Sequence, residues 1–194
     1  MSRSSGENRA DADLLRLVAR GDPAALRALV SRHLPRILRM AERLTGNPAD
    51  AEEIAQETMI RLWRVARTWK PEGARFDTWL YRVTVNLCID RQRKRPMESL
   101  DGVAEMASSE KGAFAAVYGG QMNTLVRQLL EALPEKQRIA LVLSYYEELT
   151  SREVAEVMET TPGAVMGLLF RGRQALKGML TAAGVEGWDS EPET

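Results

Sequence analysis

The sequence predicts an all-α protein of two small helical domains joined by a flexible linker, with a helix-turn-helix in the C-terminal domain. Apolar residues recur at helical spacing along most of the chain, and no segment shows the strict alternation of a β-strand. Residues 96–121 lack this spacing and contain the pair Gly119-Gly120, which is typical of a connection between domains. The third observation is a helix start signal at Thr161-Pro162, where a polar cap precedes a proline at the first helical position.

The composition limits the possible classes of protein. The 194 residues are enough for one domain or two small ones. The 27 basic and 27 acidic residues balance, which argues against a protein that coats DNA uniformly but allows a local DNA site. A single cysteine excludes an internal disulfide framework. No stretch approaches the roughly 20 apolar residues that span a bilayer, and the N-terminus has no secretory signal, so we expect a cytoplasmic protein with no membrane segment of its own.

The first domain is expected to span residues 11–95, after a polar and disordered N-terminus at residues 1–10. Its first helix can end at Gly21. Asp22 then caps a second helix whose first residue is a proline. Within that helix, Pro35 is expected to introduce a kink or a split.

A third helix is predicted over residues 50–67, after a loop that contains Gly46. Asp50 with Glu53 resembles a capping box at its start. One face of this helix is apolar and the opposite face is charged. Such a charged face can bind a partner, and the alternative is that it is simply solvated.

The stretch FDTWLYRVTVNLCIDRQRKR, residues 76–95, is the most informative part of the first domain. Its helical pattern begins with aromatic side chains and ends in a cluster of cations. Asn86 and Asp90 are four residues apart and therefore share a helix face. Short polar side chains, cations and aromatic rings together are what single-stranded nucleic-acid binding requires. The alternative is an amphipathic core helix that ends in a solvated basic turn, and Trp79 and Tyr81 are expected in the core.

The second domain is expected at residues 122–180, followed by an acidic tail at residues 181–194. Thr150 and Glu153 fit a capping box that opens a short helix, and a tight turn separates it from the helix after Thr161. This pattern predicts a helix-turn-helix, whose second helix enters the major groove. The alternative is a plain helical hairpin. The candidate residues that face the groove or bind the DNA backbone are Thr160, Thr161, Gly163, Ala164, Met166, Gly167, Phe170, Arg171, Arg173 and Lys177.

No catalytic, metal or cofactor site is predicted. His33 is the only histidine and Cys88 the only cysteine, so the chain has no zinc-ligand spacing. Cys88 is expected to be a buried structural residue. The sequence has no glycine-rich phosphate loop and no evident Ser/His/Asp constellation. An all-helical enzyme is therefore the least favoured of the possible functions.

Three segments, residues 47–64, 76–95 and 133–176, together resemble an extracytoplasmic-function (ECF) sigma factor of bacterial RNA polymerase. The resemblance implies a first domain that binds the polymerase clamp and the promoter −10 element, and a second domain that binds the −35 element. It implies a protein without chemistry of its own that binds core RNA polymerase and promoter DNA, and that initiates transcription of a specific, stress-response regulon. An anti-sigma factor would be a further partner.

The resemblance also implies roles for individual residues, and the loop at residues 69–78 would capture a flipped base of the non-template strand. The residues that would contact polymerase are Asp50, Glu53, Gln56, Glu57 and Arg61. The residues that would contact the −10 element, its phosphates or the flipped base are Arg75, Phe76, Asp77, Thr78, Asn86, Asp90, Arg91, Arg93, Lys94 and Arg95.

The chain departs from the family on the second helix of the helix-turn-helix. Where the family usually carries Lys-Ser-Arg, this chain has Met166-Gly167-Leu168, which removes two cations. We expect −35 recognition to be weaker or differently distributed, or the apolar run at residues 166–170 to pack against an anti-sigma factor. An ordinary helix-turn-helix regulator of duplex DNA is the main alternative, but it leaves residues 47–95 and the linker unexplained.

Overall fold

The computed structural model describes residues 3–69, 75–94 and 119–184, and all regular structure in these ranges is helical. The first half contains α1 (Arg3–Ala19), α2 (Pro23–Thr45), α3 (Pro48–Ala66) and α4 (Phe76–Lys94). The second half contains α5 (Gly119–Glu131), α6 (Glu135–Leu141), a π-helical turn (Val142–Tyr146), α7 (Ser151–Val157) and α8 (Pro162–Ala182). The predicted all-α class is confirmed, and no helix in the described ranges is long and apolar enough to cross a membrane.

The first two helices differ from the prediction. Helix α1 begins at Arg3, although residues 1–10 were expected to be disordered. No proline interrupts this segment, so its polar residues continue the helix. Helix α2 runs from Pro23 to Thr45 without a break, so of the predicted kink or split at Pro35 the split does not occur. Pro35 is exposed, and the rest of α2 is held in place by its buried face.

The start of α3 was also predicted incorrectly. The helix begins at Pro48, before Asp50, and its cap is Asn47. The Asn47 side-chain oxygen accepts hydrogen bonds from the backbone N–H groups of Ala49 and Asp50, at 2.9 Å and 3.2 Å. Because Asn47 satisfies these groups, Asp50 is not the cap, and the predicted capping box of Asp50 with Glu53 does not form. The Asp50 side chain instead points inward, toward α4.

The core of the first half fixes α4 against α2 and α3. Leu29, Ile37, Leu62 and Leu80 are almost completely buried there, and burying a side chain of this size contributes about 1.5–3 kcal/mol. The predicted core position of Tyr81 is confirmed, since only 3% of it is exposed. Helix α4 is thereby held with one face in the core and the other toward solvent.

Cys88 lies on the buried face of α4, as predicted. Burial raises the pKa of its thiol to about 12, whereas the nearby Arg138 has a smaller, opposite effect. The thiol is therefore protonated at neutral pH and has a structural place in the core.

The second half packs α8 against α6 and α7. Val165 and Leu169 of α8 are buried, as is Ala155 of α7. Gly172 marks the closest approach to α6, because a Cβ atom at this position would lie 2.8 Å from Cδ1 of Leu141. A larger residue at position 172 would require Leu141 to move. This packing fixes the direction in which α8 presents its exposed face.

Candidate nucleic-acid interface

The outward face of α4 carries the polar pair that the sequence singled out. Asn86 and Asp90 are both exposed and lie one turn apart. Arg93 and Lys94 are exposed in the last turn of the helix, where cations also interact favourably with the helix dipole. The face therefore combines hydrogen-bonding side chains with cations, while Arg95 lies outside the described residues.

Arg91 is engaged within the protein. Its Nε donates to Oδ1 of Asp50 at 2.8 Å, and its Nη2 lies 2.8 Å from Oε2 of Glu53. Asp50 is only 7% exposed. Arg91 therefore joins α4 to α3, and the structure does not place Arg91 among the DNA-facing cations or Asp50 on the polymerase-facing surface.

Two of the residues assigned to the base pocket are in the core. Phe76 is 2% exposed and Thr78 is 4% exposed. The Phe76 ring packs edge-to-face on Trp69, with centroids 5.3 Å apart, and stacks on Trp79 at 5.9 Å. These residues support the start of α4 from inside, and their predicted contact with DNA stays a prediction. Residues 70–74 of the predicted pocket loop lie outside the described residues.

Asp77 belongs to a group of three residues between α1, α2 and α4. Asp11, His33 and Asp77 each have a potential metal-ligand atom within 4.8 Å of the other two. The buried Asp11 carboxylate already accepts a hydrogen bond from Arg32 and lies 2.9 Å from Nε2 of His33. Burial raises the pKa of Asp77, against the effect of the nearby His33. The group thus ties α1 to α2, and Asp77, predicted to contact DNA, is half-buried within it.

Helices α7 and α8 form the predicted helix-turn-helix. The Thr150 hydroxyl and the Glu153 carboxylate complete a reciprocal capping box at the start of α7. The turn passes through Glu159, whose φ of +52° is in the left-handed region. Thr161 then caps α8, and its hydroxyl accepts from the backbone N–H of Ala164 at 3.2 Å. These local signals explain why this part of the fold was predicted correctly.

The exposed surface of α8 is smaller than the predicted apolar run at residues 166–170. Leu169 is buried and Leu168 is half-buried, whereas Met166 and Phe170 are 63% and 58% exposed. The predicted site residues left exposed on and before α8 are Thr160, Thr161, Gly163, Ala164, Met166, Phe170, Arg171, Arg173 and Lys177, while Gly167 is half-buried.

Helix α3 presents a separate surface. Of the residues predicted to bind polymerase, Glu53, Gln56 and Arg61 are exposed. Glu57, half-buried, accepts from Arg61 at 2.8 Å. Ile60 and Trp63, which the sequence-based list omitted, are 42% and 50% exposed beside them. The exposure of these two residues could have been predicted from the sequence, because they fall outside the apolar stripe that packs into the core.

The two halves contact each other where α7 meets α4. Arg82 of α4 donates to the backbone carbonyl of Glu156 at 2.6 Å and lies 3.3 Å from the carboxylate of Glu159. Arg75, another predicted DNA contact, donates to Glu153 at 2.7 Å. In this arrangement Arg75 contacts the helix-turn-helix.

Together, the polar and basic face of α4 and the helix-turn-helix are two candidate nucleic-acid-binding surfaces, one in each half of the chain. Comparison with known families agrees with this division. Residues 29–96 match the model of sigma-70 region 2, and residues 124–176 match that of sigma-70 region 4.

Known proteins resemble the chain over most of its length. It is 34% identical over 169 residues to the ECF RNA polymerase sigma factor SigE of Mycolicibacterium smegmatis, covering 84% of this chain but 65% of SigE. It is 33% identical over 179 residues to the ECF RNA polymerase sigma factor SigW of Bacillus subtilis, covering 86% of this chain and 94% of SigW. Its fold is similar to that of RpoE from Bartonella quintana, solved in complex with the anti-sigma factor NepR, with a TM-score of 0.64 at 20% identity and coverage of 80% and 96%.

The chain belongs to the ECF family of RNA polymerase sigma factors. The predicted resemblance is thereby confirmed. Proteins of this family confer promoter specificity on transcription initiation and are not enzymes.

Proposed function

We propose that the protein acts in the cytoplasm and directs core RNA polymerase to promoters through two DNA contacts, the −10 element at α4 and the −35 element at α8. The observation that carries this proposal is the outward face of α4. Asn86 and Asp90 are exposed there one turn apart, with Arg93 and Lys94 following them. The polar side chains of Asn86 and Asp90 can read base edges, and the cations Arg93 and Lys94 can bind phosphates.

At the −10 element, α4 and the segment before it bind the non-template strand. Extruding a base costs a few kcal/mol of lost stacking, which contacts in a pocket must offset. The rings of Trp69, Phe76 and Trp79 pack together at the start of α4. They give this part of the protein a rigid base, on which the loop between α3 and α4 can position the flipped nucleotide.

The polymerase contact is proposed for the outer face of α3. Gln56, Ile60 and Trp63 recur at helical spacing on this face and are all exposed. A large aromatic residue surrounded by polar ones is the composition of an interface hot spot. Glu53 and Arg61 add charges at its edge.

An anti-sigma factor is proposed as a further partner. The support is the similarity in fold to RpoE of Bartonella quintana, whose structure contains the anti-sigma factor NepR. We propose a stress-response regulon as the set of genes that the protein controls.

The test is association of the full chain with purified core RNA polymerase, followed by transcription from a template with both promoter elements. We expect a stable complex in gel filtration and a specific transcript that core polymerase alone does not produce. Failure to bind core polymerase would contradict the proposal.

A pair of matched variants locates the polymerase contact. Gln56→Arg places a bulky cation on the outer face of α3 and is expected to weaken the complex by about tenfold or more. Gln128→Arg makes the same change at an exposed position of α5 and is expected to have no effect. Equal losses in both variants would show that α3 is not the contact surface.

A further inference from the structure

The first three turns of α8 carry no hydrogen-bonding side chain. Between Thr161 and Arg171 the sequence reads PGAVMGLLF. None of these side chains has an N–H or O–H donor or an oxygen acceptor. In a helix-turn-helix, the N-terminal residues of the second helix are those that contact base edges. Bidentate hydrogen bonds to guanine or adenine from this part of the helix are therefore excluded.

The geometry of α8 shows which of these residues can reach a groove. Val165, Leu169 and Gly172 are buried against the rest of the domain. At 3.6 residues per turn, Gly163, Gly167 and Phe170 lie on the opposite side, with Met166 beside them. Met166 is 63% exposed, more than Phe170 at 58%.

The two glycines leave room around Met166. A Cβ atom at position 163 would have no neighbour within 4 Å, and one at position 167 would touch only the end of the Arg171 side chain, at 3.4 Å. Because neither position carries a side chain, the helix backbone can approach another surface closely. Met166 and Phe170 are then the groups that project furthest toward that surface.

The charge of α8 indicates that this surface is DNA. The helix contains Arg171, Arg173 and Lys177 and no acidic residue from position 162 to 182. Arg171 and Arg173 are exposed one turn beyond the apolar side chains. Cations bind phosphates, and the apolar group that a base presents in the major groove is the C5-methyl of thymine.

We propose that Met166 is a specificity-determining residue that reads thymine methyl groups in the −35 element, together with Phe170 one turn further along α8. The inference rests on the proposed binding of the −35 element by this helix. The thioether side chain is flexible and polarisable, which suits it to packing against methyl groups. Sequence preference is then set by buried methyl groups rather than by hydrogen bonds.

The test uses the full chain assembled with core RNA polymerase and a library of duplexes randomised across the −35 window. We expect the selected duplexes to contain thymine opposite α8. Replacing that thymine by deoxyuridine removes only the methyl group. The expected loss of affinity is about fourfold per contacted methyl, or about 0.8 kcal/mol.

The variant Met166→Ala tests whether this loss of affinity depends on the Met166 side chain. In Met166→Ala the thymine and deoxyuridine duplexes should bind equally at the position that Met166 contacts. Leu17→Ala shortens an exposed leucine of α1 and should leave the preference for thymine unchanged. Thermal unfolding of both variants establishes that they are folded.

The outcomes separate this inference from the proposed function. If no sequence is enriched in the −35 window, binding of that element by α8 is itself contradicted. If a sequence is enriched but deoxyuridine binds as well as thymine, only methyl recognition is wrong. If the preference for thymine persists in Met166→Ala, the methyl contact belongs to another residue and the role of Met166 is overturned.

Discussion

Arg75 and Glu153 join the two halves of the protein at the start of the helix-turn-helix. Nη1 of Arg75 donates to Oε1 of Glu153 at 2.7 Å. Oε2 of the same carboxylate accepts from the backbone N–H and the hydroxyl of Thr150, at 2.9 Å and 2.8 Å. One carboxylate thus caps α7 and also binds the residue that precedes α4. The capping of α7 and its position against α4 therefore depend on the same side chain.

Glu153→Gln is expected to make stability less dependent on pH. Burial raises the pKa of Glu153, but the hydrogen bonds from Thr150 and the Arg75 guanidinium outweigh it and lower that pKa below its ordinary value. The carboxylate therefore stabilises the fold above its unfolded pKa, and this stabilisation is lost as the pH falls through the folded pKa. Glutamine keeps the capping acceptor, so we expect the free energy of unfolding at pH 7 to fall by less than about 1 kcal/mol.

Urea unfolding at pH 7 and at an acidic pH checks this expectation, because the advantage of wild type over Glu153→Gln should shrink as the Glu153 carboxylate becomes protonated. The matched control is Glu159→Gln, whose side chain is 69% exposed beside Arg82 and should have a smaller effect. A difference between wild type and Glu153→Gln that was the same at both pH values would show that the charge is not responsible.

A second prediction concerns Arg36 and Glu147, which connect α2 to the end of the π-helical turn. Glu147 is only 3% exposed, and Arg36 donates to its carboxylate and, at 2.9 Å, to its backbone carbonyl. In Arg36→Ala, keeping this carboxylate buried without its cation would cost about 3–5 kcal/mol of folding free energy. We expect Glu147 to move into solvent and the two halves to separate.

Small-angle X-ray scattering measures the separation of the two halves as an increase in the radius of gyration of Arg36→Ala. The double variant Arg36→Met with Glu147→Leu replaces both charges by apolar groups of similar size and should restore the compact form. An unchanged radius of gyration in Arg36→Ala would show that this ion pair does not hold the halves together.

Local signals account for the parts of the fold that could be predicted. The caps at Thr150 and Thr161 depend on residues within three positions of each other, and both form as predicted. The pairing of Arg91 with Asp50 joins residues 41 apart in sequence, and nothing in the local pattern indicates it. Such long-range pairs determine which charged residues are exposed, so the exposure of the site residues was harder to predict than the helices.

The aromatic residues illustrate the same limit. Phe76 stands at the start of a basic, helical stretch, a pattern that suits stacking on bases as well as core packing. Its burial is decided by Trp69 and His33, which come from other segments. By contrast, Ile60 and Trp63 were identifiable from sequence, because an apolar residue outside the core-facing stripe of a helix must be exposed.

The third prediction tests the outward face of α4. Asn86→Ala removes an exposed amide, so the stability of the fold should change by less than about 0.5 kcal/mol. If Asn86 reads a base of the −10 element, the loss in promoter opening should correspond to about 1–3 kcal/mol and should depend on the sequence at one position. Permanganate reactivity of unpaired thymines measures opening.

Gln174→Ala, an exposed amide on α8, is the matched control for Asn86→Ala and should leave opening of a given −10 sequence unchanged. An equal loss on all −10 sequences in Asn86→Ala would assign this residue to general binding rather than to base reading.

The last prediction distinguishes phosphate contacts from base contacts on α8. Arg171 is exposed beyond the apolar residues of the helix, where a cation can reach the DNA backbone. Arg171→Ala should therefore weaken binding to all −35 sequences alike. It should also reduce the slope of log K against log salt concentration by about 0.9, because one fewer counterion is released from duplex DNA. Titrations of the complex with core polymerase at several salt concentrations measure the slope. A changed sequence preference with an unaltered slope would mean that Arg171 reads a base, and Met166 and Phe170 would then share recognition of the element with a hydrogen-bonding residue.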